Sequence, residues 1–398
     1  MKLLFLSNLF PDAAQPVRGL DNATLLHELR SNFAYDVKVI SPCPVWFPKF
    51  GRGIRKLISP RGRDEILNPS FVPTGYIPRF GSRWNDHLML KNLRPAFKKS
   101  TEEFRPDVVL ASWLFPDGCA AARLCESADI PLILITQGSD THQYLSDPIR
   151  RDKIVAAIAR SEGVICRSAD LAKRLEAVGA PPEKLRVIYN GVNPDVFFPQ
   201  DQAEARRSLG LHTKIPSLLF VGNLLAVKNP VFLLRAHAAL NERRSAADKR
   251  RVMLRLIGEG PLETALRSEA VALGTESEVE FLGRRPPREV ANWMNASNVF
   301  CLTSENEGFP NVLLEAMACA LPIVSTDVGG ISERVSAPSI GQLVRRGNLE
   351  GYLDALETAL ESAKTRQEPP APRAALSWTG VAAECDRFIN DVRAGSHL

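Results

Sequence analysis

Short apolar runs alternate with longer stretches of helical pattern along both halves of this 398-residue chain. Such alternation is typical of parallel sheets whose two faces are covered by helices. The predicted strands are Lys2–Ser7, Val37–Ser41, Val108–Ser112, Pro131–Thr136, Gly163–Arg167, Leu185–Tyr189, Ser217–Val221, Val252–Ile257, Val279–Leu282, Asn298–Thr303, Leu321–Thr326 and Ile340–Val344. Because a single core seldom grows beyond about 250–300 residues, six strands in each half predict an α/β protein of two doubly wound domains.

Two stretches rich in turn formers divide the chain. Residues 190–199 combine Asn, Gly and Pro without a helix or strand period, so we place the domain linker there and the boundary at residue 195. A second break, at 367–373, precedes a last helical run from Trp378 to Val392. The sequence therefore predicts domains 1–195 and 196–375, followed by a helical segment.

A predicted strand, turn and helix follow one another near residue 300. The apolar run Asn298–Thr303 reads as a buried strand, and Pro310 suits the first position of a helix because its φ is fixed. A helix start carries partial positive charge and N–H groups without partners in the helix. The backbone of Gly308 and Phe309 is therefore a candidate anion site.

Two glutamates flank this candidate anion site. Glu307 lies at its mouth, and Glu315 follows in the second turn of the predicted helix. Carboxylates do not bind phosphate but accept hydrogen bonds from sugar hydroxyls, so the pattern suits a ligand with sugar on either side of a phosphate. The alternative interpretation is an exposed loop acid and a solvated helix acid.

The pattern of Glu307, seven residues and Glu315, with Gly308 and Phe309 after the first glutamate, resembles the signature of the retaining glycosyltransferases of family four. The stretch 321–333 resembles the strand and Gly-Gly turn that follow in that family. The resemblance implies that Glu307 holds the hydroxyls of the donor sugar and that Glu315 holds the ribose of the nucleotide.

The resemblance covers nearly the whole chain and implies the GT-B fold, in which two Rossmann-like domains face a central cleft. Residues 1–195 would then form the acceptor side, and residues 196–375 would bind the nucleotide-sugar donor. The helix within 376–398 would cross back onto the first domain.

The turn after the predicted strand Ser217–Val221 resembles the family's phosphate-binding turn, in which a glycine, an arginine and a lysine face the donor diphosphate. Gly222 and Lys228 match the glycine and the lysine, whereas Asn223 stands where many members carry arginine. An amide donates a hydrogen bond without charge and contributes less. Arg284 is a candidate for the missing positive charge.

The first half carries a second group of candidate residues. Gly19 matches a glycine of the family's loop that approaches the acceptor and donor phosphates, and Arg18 is a candidate anion contact. Many members carry a histidine, thought to contact the donor sugar, where this chain has Gln137. Asp140, on the same turn, is a candidate acceptor of sugar hydrogen bonds and completes a catalytic set with Glu307 and Lys228.

The sequence contains no Asp-x-Asp pair, the motif with which metal-dependent sugar transferases bridge a divalent ion and a diphosphate. We therefore expect no metal and no other cofactor. The positive charge for the diphosphate would come from Lys228, from the helix start at Gly308 and Phe309, and from Arg18. The resemblance implies that the donor's own β-phosphate takes the proton of the acceptor.

Composition points to a cytoplasmic protein. Hydrophobic residues make up 45% of the chain and charged residues 24%, and no apolar run approaches the roughly 18–20 residues that span a bilayer. Residues 1–7 read as a buried strand rather than as a secretory signal. Seven cysteines without paired spacing fit reduced thiols.

The segment 49–100 is strongly basic. It holds twelve lysines and arginines against three acids, while the whole chain has a net charge of +5. Tryptophans and phenylalanines lie among these bases, a composition that suits docking on an anionic membrane surface. A solvated basic face with the aromatic side chains packed inward is an equally good interpretation. No nucleic-acid-binding motif accompanies the bases, so we expect no nucleic acid partner.

The resemblance implies a retaining, hexosyltransferase-type enzyme. It would move a sugar from a nucleotide-sugar donor to a glycan or lipid-linked acceptor in the synthesis of cell-envelope or exported polysaccharide, in the cytoplasm or on the inner face of the membrane. The alternatives are a nucleotide-sugar epimerase on the same fold and a catalytically idle binding protein that resembles the transferases.

Overall fold

The structure is a computed structural model that describes residues 1–12, 15, 18–46, 64–211, 215–335, 337–362 and 377–395. The chain divides into two compact units. One comprises Met1–Gly191 together with Trp378–Leu398, and the other comprises Val192–Ser377. The predicted proline-rich break at 367–373 lies outside the described residues. Each unit is built on one parallel sheet with helices, which confirms the prediction of two Rossmann-like α/β domains.

The first unit has a seven-stranded sheet of order β3-β2-β1-β4-β5-β6-β7, and the second has a six-stranded sheet of order β10-β9-β8-β11-β12-β13. All neighbouring strands run parallel. The strands are β1 Lys2–Leu6, β2 Asp36–Trp46, β3 Ser70–Tyr76, β4 Val108–Ser112, β5 Leu132–Ile135, β6 Gly163–Cys166, β7 Leu185–Val187, β8 Ser217–Val221, β9 Met253–Ile257, β10 Val279–Gly283, β11 Val299–Leu302, β12 Ile323–Thr326 and β13 Gly341–Val344.

Helices connect these strands. Their bounds are α1 Leu20–Phe33, α2 Asn85–Phe104, α3 Cys119–Ala128, α4 Ser139–His142, α5 Pro148–Arg160, α6 Ala169–Glu176, α7 Gln202–Ser208, α8 Pro230–Ala246, α9 Glu263–Ala272, α10 Pro287–Ala296, α11 Asn311–Ala318, α12 Leu349–Ser362 and α13 Trp378–Arg393. Among the helices of the described ranges, none is long and apolar enough to cross a bilayer.

The core of the first unit lies on both faces of its sheet. Successive residues of a strand point to opposite faces, and β1 follows this rule. Leu3 and Phe5 join a buried cluster with side chains of α1 and α13. Leu4 and Leu6 join another with side chains of α2, α3 and α5. Burial on both faces explains why β1 is a continuous apolar run rather than an alternating one.

Strand β3 is absent from the sequence prediction, which gave six strands to the first half. Its residues Ser70–Tyr76 include Pro73 and Gly75, which disfavour a strand. β3 is an edge strand that pairs only with β2, so the missing N–H of a proline is tolerated. β2 itself extends to Trp46, past the predicted end at Ser41 and through Pro42 and Pro44.

Candidate active site

The second sheet reverses its strand order between β8 and β11, since β9 and β10 extend it on one side and β12 and β13 on the other. In open parallel sheets, ligands bind beyond the carboxyl ends of the strands at such a switch point. The loop after β8 carries Gly222, Asn223 and Lys228, and the loop after β11 carries Glu307. The fold therefore brings these two predicted loops together at the edge where a ligand is expected.

Lys228 and Glu307 form an ion pair. The Lys228 Nζ donates to Glu307 Oε1 at 2.5 Å, and Ser304 Oγ donates to the same oxygen at 2.6 Å. The carboxylate is mostly buried, with 8% of the side chain exposed, whereas the lysine side chain is 25% exposed. The lysine predicted to face the diphosphate thus contacts the glutamate predicted to face the sugar.

Hydroxyl groups hold the two loops in register. Thr303 Oγ1 lies 3.0 Å from both the Lys228 and the Asn229 carbonyl oxygens, so a lysine on one loop is fixed by a threonine on the other. Thr326, at the end of β12, donates from Oγ1 to the Ser304 carbonyl oxygen at 2.7 Å. Ser304 is thereby held while its own hydroxyl bonds to the Glu307 carboxylate.

A glycine lets the backbone pass close to Glu307. Gly329 has φ of 57°, and a Cβ added there would lie 1.8 Å from the Glu307 carbonyl oxygen. The next residue, Gly330, donates its N–H to the Gly308 carbonyl oxygen at 3.1 Å. The Gly-Gly turn therefore supports the loop that carries Glu307.

The helix start differs from the prediction in one detail. Pro310 has ψ of 121°, which is extended, and α11 begins at Asn311 rather than at the proline. Gly308 and Phe309 therefore lie in the loop before the helix cap. Anion binding by their backbone stays a prediction.

Glu315 lies in the second turn of α11, as its sequence position predicts. Among the described residues its carboxylate has no hydrogen-bond partner. Burial raises the pKa of this carboxyl group to about 7. A half-buried carboxylate without a partner is suited to accept hydrogen bonds from ligand hydroxyls.

The other residues predicted to contact the donor are Gly222, Asn223 and Arg284, and they make separate contacts. Gly222 packs against Gly258, where a Cβ would lie 1.9 Å from the Gly222 carbonyl oxygen, and Asn223 is exposed. Arg284 pairs with Glu259 at 3.8 Å and is more than half exposed. Within the described ranges Arg284 makes no ion pair with Glu307, so its role as the missing positive charge stays a prediction.

Asp140 lies in α4, on the turn that follows β5. Its side chain is fully buried, and its carboxylate accepts backbone N–H bonds from Leu114 at 3.0 Å, Gln137 at 3.0 Å and Gly138 at 2.8 Å. Its pKa is raised because desolvation by burial outweighs these hydrogen bonds. Asp140 therefore stabilises the turn after β5, and its role as an acceptor of sugar hydrogen bonds stays a prediction.

Gly19 and Gln137 are held in place within the first unit. Gly19 has φ of 64°, and a Cβ there would lie 2.1 Å from the Leu9 carbonyl oxygen, so this turn requires glycine. Gln137 Nε2 donates to Asn22 Oδ1 at 3.1 Å and to Ser112 Oγ at 2.8 Å. The residue that replaces the family's histidine thus ties the ends of β4 and β5 to α1.

Sequence reasoning missed several residues of this site. Ser304 and Thr326 were passed over although both are hydroxyl residues at or just beyond the carboxyl ends of predicted strands, a signal that could have identified them. Glu305 bonds to Asn229 Nδ2 at 2.6 Å and lies 3.3 Å from Arg346. No sequence pattern indicates Arg346, because its contact depends on the tertiary fold. In the described part of the chain, no cluster of three or more His, Cys, Asp or Glu is arranged to hold a metal ion.

Two family models match the chain. The model described as "Glycosyltransferase Family 4" matches residues 24–196, and the model described as "Glycosyl transferases group 1" matches residues 201–370. The two matches are adjacent and together span most of the chain.

Relatives agree with these matches. A D-inositol 3-phosphate glycosyltransferase of Kribbella flavida is 35% identical over 195 residues, which are 48% of this chain and 46% of that protein. The chain therefore spans about half the length of that relative. The putative teichuronic acid biosynthesis glycosyltransferase TuaC of Bacillus subtilis is 26% identical over 351 residues, 83% of this chain and 82% of that protein.

Solved structures share the fold. Anabaena Alr3699/HepE in complex with UDP superimposes with a TM-score of 0.73 at 20% identity, over 98% of this chain and 100% of that chain. At this identity the likeness shows the fold alone. The two family models, the relatives and the sheet topology agree, and the chain belongs to glycosyltransferase family four.

Proposed function

We propose that this chain transfers a sugar, with retention of configuration, from a nucleotide-sugar donor to a glycan or lipid-linked acceptor in the synthesis of cell-envelope or exported polysaccharide. The observation that carries the proposal is the Lys228–Glu307 ion pair at the switch point of the second sheet. It joins a cation suited to a diphosphate and a carboxylate suited to sugar hydroxyls.

The two side chains neutralise each other before the donor arrives. When the donor binds, its diphosphate offers the Lys228 ammonium a new anionic partner, and its sugar hydroxyls offer hydrogen bonds to the Glu307 carboxylate. Ser304 keeps the carboxylate oriented during this exchange because its hydroxyl already bonds to Oε1. The exchange limits the loss of electrostatic energy, since each charge gains a partner as it loses one.

Glu315 binds the ribose hydroxyls in this proposal. Lys228 and the backbone at Gly308 and Phe309 stabilise the leaving diphosphate, and no metal is needed. The donor's β-phosphate accepts the proton of the acceptor hydroxyl, so the protein supplies alignment and charge rather than a general base.

The experiment measures release of nucleoside diphosphate from a panel of nucleotide-sugars, with and without lipid-linked and free glycan acceptors. UDP-glucose is tested first, because the Anabaena protein that shares the fold was solved with UDP and with UDP-glucose. Release that requires an acceptor supports transfer. A changed sugar configuration without acceptor would indicate an epimerase, and binding without any reaction would indicate a binding protein.

Aromatic side chains favour a membrane-associated acceptor. Phe80 and Trp84 are 77% and 50% exposed, and they lie beside Arg79 and Arg83 around the short turn Gly81–Arg83. These two aromatics are therefore not packed inward. The bases Arg52, Arg55, Lys56, Arg61 and Arg63 lie outside the described residues. We propose that the segment 49–100 docks the protein on the anionic inner face of the membrane.

A further inference from the structure

A small cavity lies within the second unit, toward the amino ends of β9 and β10. Of the residues that line it, Met253 is the first of β9, Glu280 is the second of β10, and Ile215 precedes β8. The strands run parallel, so the cavity lies away from the carboxyl edge that carries Lys228 and Glu307. Its volume is about 200 Å³. Since a cavity of about 150 Å³ holds benzene, this one has room for a small organic molecule.

Two arginines that line the cavity are buried. Arg206 comes from α7, and it donates from Nε to the Ala296 carbonyl oxygen at 2.8 Å and from Nη2 to Asn298 Oδ1 at 2.7 Å. Arg255 is the middle residue of β9. Arginine is seldom buried unless it is paired, because desolvation of its charge is costly. Two buried guanidinium groups beside one cavity therefore need negative charge nearby.

Arg255 retains hydrogen-bond donors. Its Nε donates to Glu280 Oε2 at 2.7 Å, and its guanidinium lies over the Trp293 ring, 5.3 Å from the centroid. Among the described residues this is the only hydrogen bond of the side chain, so both Nη groups are left without a partner. The planar arrangement of these groups matches the oxygens of a carboxylate or phosphate.

The lining has an excess of positive charge. Among its described residues Glu280 is the one acid, against Arg206 and Arg255, and the Glu280 side chain is more than a third exposed, so solvent screens its charge. Burial lowers the pKa of Arg206, and the positive charge of Arg255 acts in the same direction. The two guanidinium groups thus repel each other, and a bound anion would stabilise both.

The rest of the lining is apolar or lacks a side chain. It consists of Gly210, Leu211, Ile215 and Met253. Ile215 is exposed, so this part of the wall is accessible from solvent. The cavity therefore combines an apolar wall with two cations, a combination that suits an anion carrying an apolar group.

A buried hydroxyl group points to the same face of the sheet. Leu218 and Leu254 belong to a buried cluster with side chains of α8, α9 and α12. Because side chains alternate along a strand, the paired residues Ser217 and Met253 point to the opposite face, which the cavity occupies. Ser217 is buried, and in the described part of the chain its Oγ has no hydrogen-bond partner. A ligand that reached this hydroxyl would remove the cost of leaving it unpaired.

We propose that this cavity binds a small organic anion in which a carboxylate or another oxyanion is joined to an apolar group. The oxyanion accepts hydrogen bonds from the Nη groups of Arg255, and the apolar group packs against Leu211, Ile215 and Met253. The site is separate from the donor site, since its lining includes no residue of the loops that carry Lys228 and Glu307.

The probe is benzoate, which joins a carboxylate to a benzene ring, and NMR titration of its ring signals with the full chain measures its affinity. Benzoate should bind roughly tenfold more tightly than benzyl alcohol, which has the same ring without a charge. Sulfate, an oxyanion without an apolar group, should displace benzoate only in large excess. No measurable binding of benzoate, or equal affinity for benzoate and benzyl alcohol, would overturn the proposal. Displacement by sulfate at equal concentration would overturn the role of the apolar wall.

Charge changes in the lining test the location of the site. Glu280→Gln removes the acid that offsets the arginines and should tighten benzoate binding roughly fivefold, whereas Arg255→Met should weaken it roughly tenfold. Ile215→Glu should weaken binding and Ile215→Lys should tighten it, and an exposed residue can be changed with little effect on the core. The two predicted gains in affinity cannot arise from a folding defect.

Glu263→Gln is the matched control. Glu263 pairs with Arg267 at 2.8 Å in the second unit, and its side chain is 35% exposed against 39% for Glu280. This change should leave benzoate affinity as it is. Equal effects of Glu263→Gln and Glu280→Gln, or equal affinities of the two Ile215 variants, would overturn the location of the site. Because the titration needs neither nucleotide nor turnover, these outcomes are independent of the proposed function.

Discussion

The Lys228 ammonium and the Glu307 carboxylate lie 2.5 Å apart, so the cation and the anion of the candidate donor site neutralise one another in the free protein. Breaking a buried pair by removing one partner costs more than the pair contributes, because the other charge is left uncompensated. A variant that removes only Lys228 or only Glu307 should therefore lose more stability than the ion pair itself contributes.

Glu307→Gln should slow sugar transfer roughly tenfold to a hundredfold while nucleotide binding persists. Loss of a charged hydrogen bond to the sugar costs about 1.5–3 kcal/mol, and the freed Lys228 still meets the diphosphate. Turnover and nucleotide titration check this outcome. Glu289→Gln, on the exposed side of α10, is the control that should retain activity. Turnover of Glu307→Gln at the wild-type rate would exclude the assigned role.

Glu315 should make nucleotide affinity depend on pH. Its pKa is raised to about 7, so the carboxyl group is mostly protonated at pH 6 and ionised at pH 8. The ionised form accepts hydrogen bonds better, and affinity should rise between these values. Glu315→Gln should bind roughly tenfold more weakly at pH 8 and should not show this rise. Protonation of the nucleotide phosphates affects the wild-type protein and Glu315→Gln alike, so the difference between their pH profiles reports on Glu315. Identical pH profiles would contradict the prediction.

The same group should affect stability with the opposite sign. A carboxyl group whose pKa is raised by folding contributes stability while it is protonated, and this contribution is lost as pH rises from about 4.5 through about 7. Glu315→Gln should therefore raise the melting temperature more at pH 8 than at pH 5. Thermal unfolding at both pH values measures the difference.

Chelation should leave activity largely intact. In the proposed function, Lys228 and the backbone just before α11 supply fixed positive charge for the diphosphate, and no divalent ion is invoked. Initial rates in EDTA, with and without added magnesium, decide the point. Activity that is lost in chelator and restored by metal would show that the electrostatic account is wrong.

Gly329→Ala should disturb Glu307 directly. The added methyl group would lie 1.8 Å from the Glu307 carbonyl oxygen, and the residue would also keep a positive φ. We expect a loss of about 2–4 kcal/mol and a reduced kcat. Gly274→Ala is the control, since Gly274 has φ of 64° and open space around it, and it should cost only about 1–2 kcal/mol with normal kcat. Equal effects of both changes would show that the contact with Glu307 is unimportant.

Binding to anionic vesicles should exceed binding to neutral vesicles and should fall with salt. Each base near the surface contributes about 1 kcal/mol, and Phe80 and Trp84 add apolar burial. Changing both aromatics to Ser should weaken co-sedimentation, as should changing Arg52, Arg55, Lys56, Arg61 and Arg63 to Ser. Val271→Ser is the control, because Val271 is an exposed apolar residue of the other unit. Negligible binding to both vesicle types would favour a soluble acceptor.

The sequence predicted the fold where local pattern and tertiary environment agree. Strands such as β4 and β8 are buried apolar runs, and their residues indicate this directly. β3 was missed because Pro73 is acceptable only at a sheet edge, and edge position is a property of the assembled sheet.

Residues of the candidate site could be predicted from the sequence where the surrounding loop motif indicates their chemistry. Lys228 and Glu307 were singled out from their loops, but their direct contact depends on β8 and β11 being neighbours. The backbone hydrogen bonds of Asp140 could not be predicted, because a carboxylate that accepts backbone N–H groups looks, in sequence, like one that awaits a ligand.

The position of α13 has a consequence for the order in which the protein can fold during synthesis. Trp378, Ala382 and Phe388 complete a buried cluster against α1 and β1, yet they leave the ribosome after the whole second unit. The first unit therefore emerges with one face of its sheet incompletely covered, and exposed apolar surface of this kind is prone to aggregation. All strands and helices of the second unit are therefore synthesised before α13 completes the first unit, although the second unit starts later in the chain.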